Sequence, residues 1–174
     1  ENKMKSLVTG GAGFIGSNLV DKLVKLGHKV VVIDNEYSDV HEQFYYNDKA
    51  EYHNLDIRDE ATRNLYDDVD YVFHLAAEAR IQPAVLNPIE AVSINSVGTC
   101  TVLQFAREAK VKRVIYSSTS SGYGLNEPPN VEAQPDDCLN PYSVSKVNGE
   151  KLCSMYTNLF GVKTIILRYF NVYG

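Results

Sequence analysis

The sequence has little that would staple, anchor or metallate it. Its three cysteines, Cys100, Cys138 and Cys153, are an odd number with no close C-x-x-C pairing, and fit reduced thiols rather than a disulfide framework. Four scattered histidines argue against a zinc site. The longest purely aliphatic run, 30–33, is far short of the ~20 residues of a membrane span, and the N-terminus has no apolar signal-peptide core. Excess basic charge is missing too. Against 22 Asp and Glu stand 17 Lys and Arg, giving −5, the wrong sign for a default nucleic-acid binder. These absences predict a soluble, cytoplasmic protein with no metal and with neither membrane nor nucleic acid as a partner.

With 174 residues, 44% of them hydrophobic, the chain suits one domain with its own core. No internal repeat or low-complexity tract interrupts it. Short β-branched runs alternate with longer amphipathic stretches, the pattern of a parallel sheet wrapped by crossover helices. Strands are predicted at 5–9, 29–34, 50–54, 70–75, 113–118 and 163–168, and helices near 14–26, 58–66, 89–109 and 142–159. The fold class is therefore α/β, a doubly wound parallel sheet. Segments 36–47 and 122–140 lack periodicity and read as loops over the sheet's ligand edge, the second carrying Pro128, Pro129 and Pro135.

The first strand runs into Thr9-Gly10-Gly11-Ala12-Gly13-Phe14-Ile15-Gly16 and then a helix. Glycines there permit a tight turn and close approach of backbone to a pyrophosphate, which the helix N-terminus attracts. Asp34, 18 residues beyond Gly16, ends the second strand. A carboxylate at that place accepts hydrogen bonds from ribose hydroxyls and repels a 2′-phosphate, so the pattern predicts a Rossmann domain that prefers NAD to NADP. For Asp56, in Leu55-Asp56-Ile57, two readings stand: it reaches the adenine edge, or it caps the next helix.

Tyr142 and Lys146 lie four apart at the start of a helix introduced by Asn140-Pro141, which puts them on one face, with Gly149 leaving room beside them. A tyrosine, with an ordinary pKa near ~10, acts as a base at neutral pH only beside a cation that stabilises its phenolate. Lys146 is the nearest source.

Taken with the glycine turn, these residues resemble the short-chain dehydrogenase/reductase superfamily, and more narrowly its extended branch of NAD-dependent nucleotide-sugar epimerases, dehydratases and decarboxylases. The match is carried by the 9–16 turn, Asp34, Asp56-Ile57, His74-Leu75-Ala76-Ala77, Ser117-Ser118-Thr119, Tyr142 with Lys146, and Arg168-Tyr169-Phe170-Asn171-Val172-Tyr173-Gly174. The resemblance implies that Gly10, Gly13, Phe14, Ile15, Gly16, Asp34, Asn35, Asp56, Ile57, Leu75, Ala76 and Ala77 hold NAD. It implies that Tyr142 shuttles the proton beside Lys146, that Thr119 meets the reacting sugar hydroxyl near Ser118, and that Tyr169 and Phe170 lie near the nicotinamide. Asn171 would contact the sugar-nucleotide phosphates. Asn95 has two readings, a cofactor or sheet-spacing residue and a polar residue inside a helix. Arg80 either meets a substrate phosphate or carboxylate or is merely solvated, and Ser117 and Ser118 either face substrate or satisfy only backbone groups.

In such families the dehydratases and decarboxylases usually place an acid after the Thr. Here Thr119 is followed by Ser120-Ser121-Gly122, without it, while Gly122 departs from the bulkier residue common before Tyr-Gly. The resemblance therefore implies a UDP-hexose-like 4-epimerase, with the dehydratase or decarboxylase and a non-catalytic dinucleotide sensor as alternatives. Members carry a further C-terminal substrate-binding region, so residues 1–174 are expected to be the NAD-binding domain alone. Val144, Val147 and Met155 lie off the Tyr142/Lys146 face, which predicts a homodimer through helices 89–109 and 142–159.

Overall fold

β-Branched runs become strands where helices can bury both of their faces. In the computed structural model, which describes residues 3–37 and 43–174, six such runs form one sheet: β1 Lys5–Thr9, β2 Lys29–Ile33, β3 Glu51–His53, β4 Tyr71–His74, β5 Arg113–Thr119 and β6 Thr164–Tyr169. All pair in parallel in the order β3-β2-β1-β4-β5-β6. The order reverses beside β1, and the crevice beyond the strand ends at that switch point is where ligands of open α/β sheets sit. The register aligns Thr9 with Ile33 on one side and His74 on the other, and Thr119 with Tyr169, so the chemistry-bearing strand ends share one edge.

Successive side chains alternate between faces. Val8, Val30 and Val32 pack under Val20 and Leu23 of α1, Phe14–Lys25. Leu7, Val31, Ile33, Val72 and Tyr116 pack on the other face, against Val102, Leu103 and Phe105 of α4, Gly98–Glu108, and Cys153 and Tyr156 of α5, Pro141–Phe160.

Several expectations need correction. The segment expected to be a helix over 58–66 is a 3-10 helix at Glu60–Tyr66, capped by Asp59, whose side chain accepts from Ala61 N–H, so Asp56 is not the cap. The helix expected over 89–109 is α3, Pro88–Val92, then a π-helical turn at Ser93–Val97, then α4; an unexpected short helix, α2, occupies Ile81–Leu86. Asn95 sits in that turn and ties it to two elements: its amide bridges Glu78 N–H and C=O and donates to Ser145 Oγ at 3.0 Å. The 122–140 loop begins inside a 3-10 turn at Ser120–Tyr123, and of the 36–47 loop residues 38–42 lie outside the described residues. Gly149 does not leave room for a ligand, because the Tyr116 ring fills it; a Cβ there would lie 2.2 Å from the Tyr116 hydroxyl oxygen. Val147 is buried inside the chain, its methyl 2.7 Å from where a Gly122 Cβ would be, so it is not on an outer face. Among the described residues no helix is long and apolar enough to cross a membrane, and no cluster of three or more His, Cys, Asp or Glu is placed to hold a metal.

Candidate active site

The glycine turn is shaped by close contacts. Gly10 has φ +70, and a Cβ on it would lie 2.8 Å from Ala76 N; one on Gly16 would lie 2.1 Å from Gly10 O. Helix α1 starts from Gly13 with no side-chain cap and no acidic residue in its first turn, so its N-terminal amides are left to the crevice. Asp34 anchors this turn: one carboxylate oxygen accepts from Ala12 N–H at 3.0 Å and the other from Glu36 N–H at 2.8 Å.

Two adjoining cavities open along this edge. The first, about 130 Å³, is lined by Gly10, Gly13, Asp34, Asn35, Asp56, Ile57, Leu75, Ala76 and Ala77 of the expected residues, with Ile33, Tyr37, Phe44, Leu55, Ala79 and Ile94 completing the wall. The second, about 250 Å³, joins Gly10, Gly13, Phe14, Ile15, Gly16, Leu75 and Ala77 to Ser118, Tyr142, Lys146 and Tyr169, with Ser117 and Ala79. Five expected residues lie outside both walls. Arg80 and Asn171 are exposed, Asn95 is spent on Glu78 and Ser145, and the Thr119 hydroxyl accepts from Ser121 N–H at 3.0 Å, capping the following turn. Phe170 lies in a separate groove with Tyr123, whose ring it stacks on.

α5 places the reactive pair. Asn140 and Ser143 form a reciprocal capping box with Pro141 in the first turn, which fixes where the helix starts and hence which face Tyr142 and Lys146 share. The Tyr116 hydroxyl donates to Lys146 O at 2.7 Å, and Glu150 grips Arg168 of β6 through two hydrogen bonds of 2.7 and 2.8 Å, so the helix cannot slide along the sheet. The Lys146 ammonium is 4% exposed, donates to Ser117 O and lies 4.8 Å over the Tyr116 ring. Burial lowers its pKa to about 8, while the neighbouring Cys153 and Glu150 act to raise it, so the group remains mostly charged at neutral pH. Ser118 Oγ is buried on the cavity wall with no partner.

Sequence reasoning names His74 without a role. It is fully buried between Thr9 Oγ1, 2.7 Å from Nδ1, and Thr99 Oγ1, 2.9 Å from Nε2. Thr99 gives its own proton to Asn95 O, so it accepts from Nε2–H, and Nδ1 is left to accept from Thr9. The ring is thereby held neutral, and burial together with the Lys146 charge lowers its pKa to about 3. It ties β1, β4 and α4 together at the switch point, a job visible only once residues 25 and 65 apart in sequence meet.

A doubly wound parallel sheet with an uncapped glycine turn, an acidic residue after β2 and a Tyr/Lys pair on the same edge defines a dinucleotide-binding domain of the Rossmann type. The chain belongs to the NAD dependent epimerase/dehydratase family, whose model matches residues 6–174. It is 38% identical over 191 residues to a UDP-N-acetyl-alpha-D-glucosaminuronate decarboxylase of Bacillus cytotoxicus, a match covering 99% of this chain and 56% of that protein. It is 36% identical to a UDP-glucose 4-epimerase of Lactobacillus helveticus, covering 98% and 52% respectively. The crystal structure of the Thermotoga maritima UDP-glucose 4-epimerase with UDP-glucose superposes with a TM-score of 0.92 at 37% identity, covering 98% of this chain and 57% of that one. The chain thus spans about half the length of these relatives.

Proposed function

We propose that this chain is the NAD-holding, catalytic half of a nucleotide-sugar 4-epimerase acting on a UDP-hexose. The observation that carries the reading is that the second cavity brings the glycine turn, Ser118, Tyr142 and Lys146 to one wall. The residues fit the dinucleotide: Gly10 and Gly16 allow a turn too tight for any Cβ at the start of α1, whose uncapped first amides are left to the phosphates, and Asp34 lines the first cavity as the acceptor for a ribose. Gly10, Gly13, Phe14, Ile15 and Gly16 would hold the pyrophosphate, Asp34 and Asn35 the adenosine ribose, Asp56 and Ile57 the adenine, Leu75, Ala76 and Ala77 the middle, and Tyr169 the nicotinamide end. When bound, NAD supplies the hydride acceptor and donor at sugar carbon 4 that inversion there requires.

Tyr142 takes the proton from the sugar hydroxyl at that carbon and gives it back. Lys146 shares the cavity wall with it one helical turn on, its ammonium buried and held by Ser117 O. Ser118 lines the second cavity, its Oγ buried and without a partner, with Thr119 next to it at the end of β5, and it is the side chain we assign to the sugar. No acid follows Thr119, and a 4-epimerisation needs none, whereas elimination or decarboxylation chemistry is usually served by one.

A homodimer is part of the same reading. Val85, Leu86, Ile89, Val92 and Val97, along α2, α3 and the π-helical turn, are exposed, as is Val144 on α5, and a second copy would bury them. Calorimetric titration with NAD, then chromatography of UDP-glucose, UDP-N-acetylglucosamine and UDP-glucuronate incubated with the loaded protein, tests the function. Appearance of 4-epimers supports it. Carbon dioxide release from UDP-glucuronate would move the assignment to a decarboxylase like the Bacillus relative, and NAD binding with no sugar chemistry would favour a sensor.

A further inference from the structure

Arg58 touches neither cavity, yet four of its guanidinium hydrogen bonds are placed. Nε donates to Asp56 Oδ1 at 2.9 Å and Nη2 to Asp56 Oδ2 at 2.7 Å, a two-point grip on one carboxylate. Its far side is tied down by Glu90 of α3, 2.9 Å from Nη2, and by Ser93 Oγ, 2.7 Å from Nη1. The backbone N–H of Arg58 adds a third bond to Asp56 Oδ1 at 2.8 Å. Asp56 itself lines the first cavity beside Ile57. With Asp59 capping the 3-10 turn, the Asp56 carboxylate has no helix to serve.

We propose that Arg58 is a positioning residue that locks the Asp56 carboxylate, rotated and ionised, as the acceptor for the exocyclic amine of adenine, so that the site tells a 6-amino purine from a 6-oxo purine. This rests on the NAD reading of the first cavity. A carboxylate held at both oxygens by a planar fork keeps one plane, and with the backbone N–H also on Oδ1 a single lone pair, on Oδ2, remains for a ligand. One N–H of an amine satisfies it. A 6-oxo group sets oxygen against oxygen and leaves two acceptors facing each other with no proton between them, which is the arrangement from which discrimination arises. Because the fork is pinned by Glu90 and Ser93, the lock does not depend on the ligand being present.

The test compares calorimetric affinities of the whole chain for NAD and for nicotinamide hypoxanthine dinucleotide. The wild type is expected to prefer NAD by about tenfold or more, the worth of a hydrogen bond to a charged group. Arg58→Met is expected to weaken NAD binding about tenfold while leaving the hypoxanthine compound nearly unchanged, collapsing the ratio toward one. Arg58→Lys, which keeps the charge without the fork, is expected to lose most of the ratio as well. Should Arg58→Met fail to fold, Arg58→Lys and Glu90→Gln carry the same comparison, with Glu90→Gln lowering the ratio in part. If the wild type binds NAD and all these variants retain its ratio, the positioning role is overturned while the cofactor reading stands. If Asp56→Asn erases the ratio and the Arg58 variants do not, Asp56 reads the base unaided and the proposal is again overturned. Failure of the wild type to bind either dinucleotide would instead remove the cofactor reading on which it rests.

Discussion

The two ends of the sheet are finished to different degrees. Around β1, α1 and β2 both faces are covered: Val8, Val32 and Leu7 are fully buried, and the glycine turn closes on Ala76 and Asp34. Around β5, α5 and β6 one face is as well packed, with Tyr116 and Cys153 fully buried, but the other is open, leaving Ile165 and Leu167 each 38% exposed and Phe170 63% exposed. The expected cofactor residues from Gly10 to Ala77 fall on the finished end and assemble into cavity walls, with Tyr142, Lys146 and Tyr169 reaching the second wall from the other end. The expected sugar-phosphate contacts, Asn171 and Arg80, fall on exposed backbone and do not. The dinucleotide cavity is thus walled by this chain's own packing, whereas these two expected contacts to a sugar nucleotide are left exposed.

The largest effect expected from breaking that contrast lies where the two ends meet. Tyr142→Phe is expected to lower epimerase turnover by about 10²- to 10⁴-fold, the range for losing a general acid–base group, while NAD affinity measured by calorimetry stays within about twofold. Equal losses in both would mean that Tyr142 holds the cofactor rather than moving the proton.

The second effect concerns the pin at the switch point. His74 has a folded pKa of about 3 against an ordinary 6.5. Above pH 6.5 neither folded nor unfolded chain protonates it, and its contribution is constant. Between 6.5 and 3 the unfolded chain takes up a proton that the folded chain refuses, so stability falls as pH falls, by at most about 1.4 kcal/mol per pH unit from this group. Urea denaturation across pH 4 to 8 should show that slope, and His74→Asn should flatten it. An unchanged slope would assign the acid sensitivity to carboxylates such as Asp70, which Lys5 N–H and Lys112 hold below the usual carboxylate range.

Much of the finished end is legible in the sequence because its signals are local. Four valines and isoleucines in a row make β2, glycines between a strand and a helix make the turn, and Asn140-Pro141 announces α5. The unfinished and connecting parts are less legible because they depend on distant partners. A polar Asn95 inside an apolar helix looks the same whether it binds a ligand or clamps Ser145, 50 residues on. Gly149 reads as empty space until Tyr116 from β5 fills it. The π-helical turn follows no local propensity; it sits where Asn95 reaches Glu78 and Gly98 packs so closely on Ile57 that a Cβ on it would lie 2.5 Å from the Ile57 side chain. Thr119 ends β5 one residue beyond the strand expected over 113–118, and its hydroxyl accepts from Ser121 N–H, a turn contact that no local pattern announces.

A smaller effect belongs to cofactor choice. Asp34 holds Ala12 and Glu36 amides in addition to lining the first cavity, so Asp34→Ala should narrow the preference for NAD over NADP by about tenfold while also loosening the turn. Calorimetry with both dinucleotides decides it. Equal or tighter NADP binding by the wild type would show that the carboxylate serves the turn alone.

The smallest effect tests the difference in finish directly. Leu7 on β1 and Leu167 on β6 are the same residue type in the same sheet, one fully buried and the other 38% exposed. Truncating Leu7 leaves a cavity between Val31, Val72 and the helices above them, and Leu7→Ala is expected to cost about 2–5 kcal/mol. At Leu167 water already reaches the side chain and no helix closes over it, so a truncation creates a dent rather than a void. Leu167→Ala is therefore expected to cost about 1 kcal/mol or less, read from urea midpoints at unchanged slope. A cost at Leu167 matching that at Leu7 would mean that this face is covered in solution by another copy of the chain, and the cost would then fall on dilution as the copies separate.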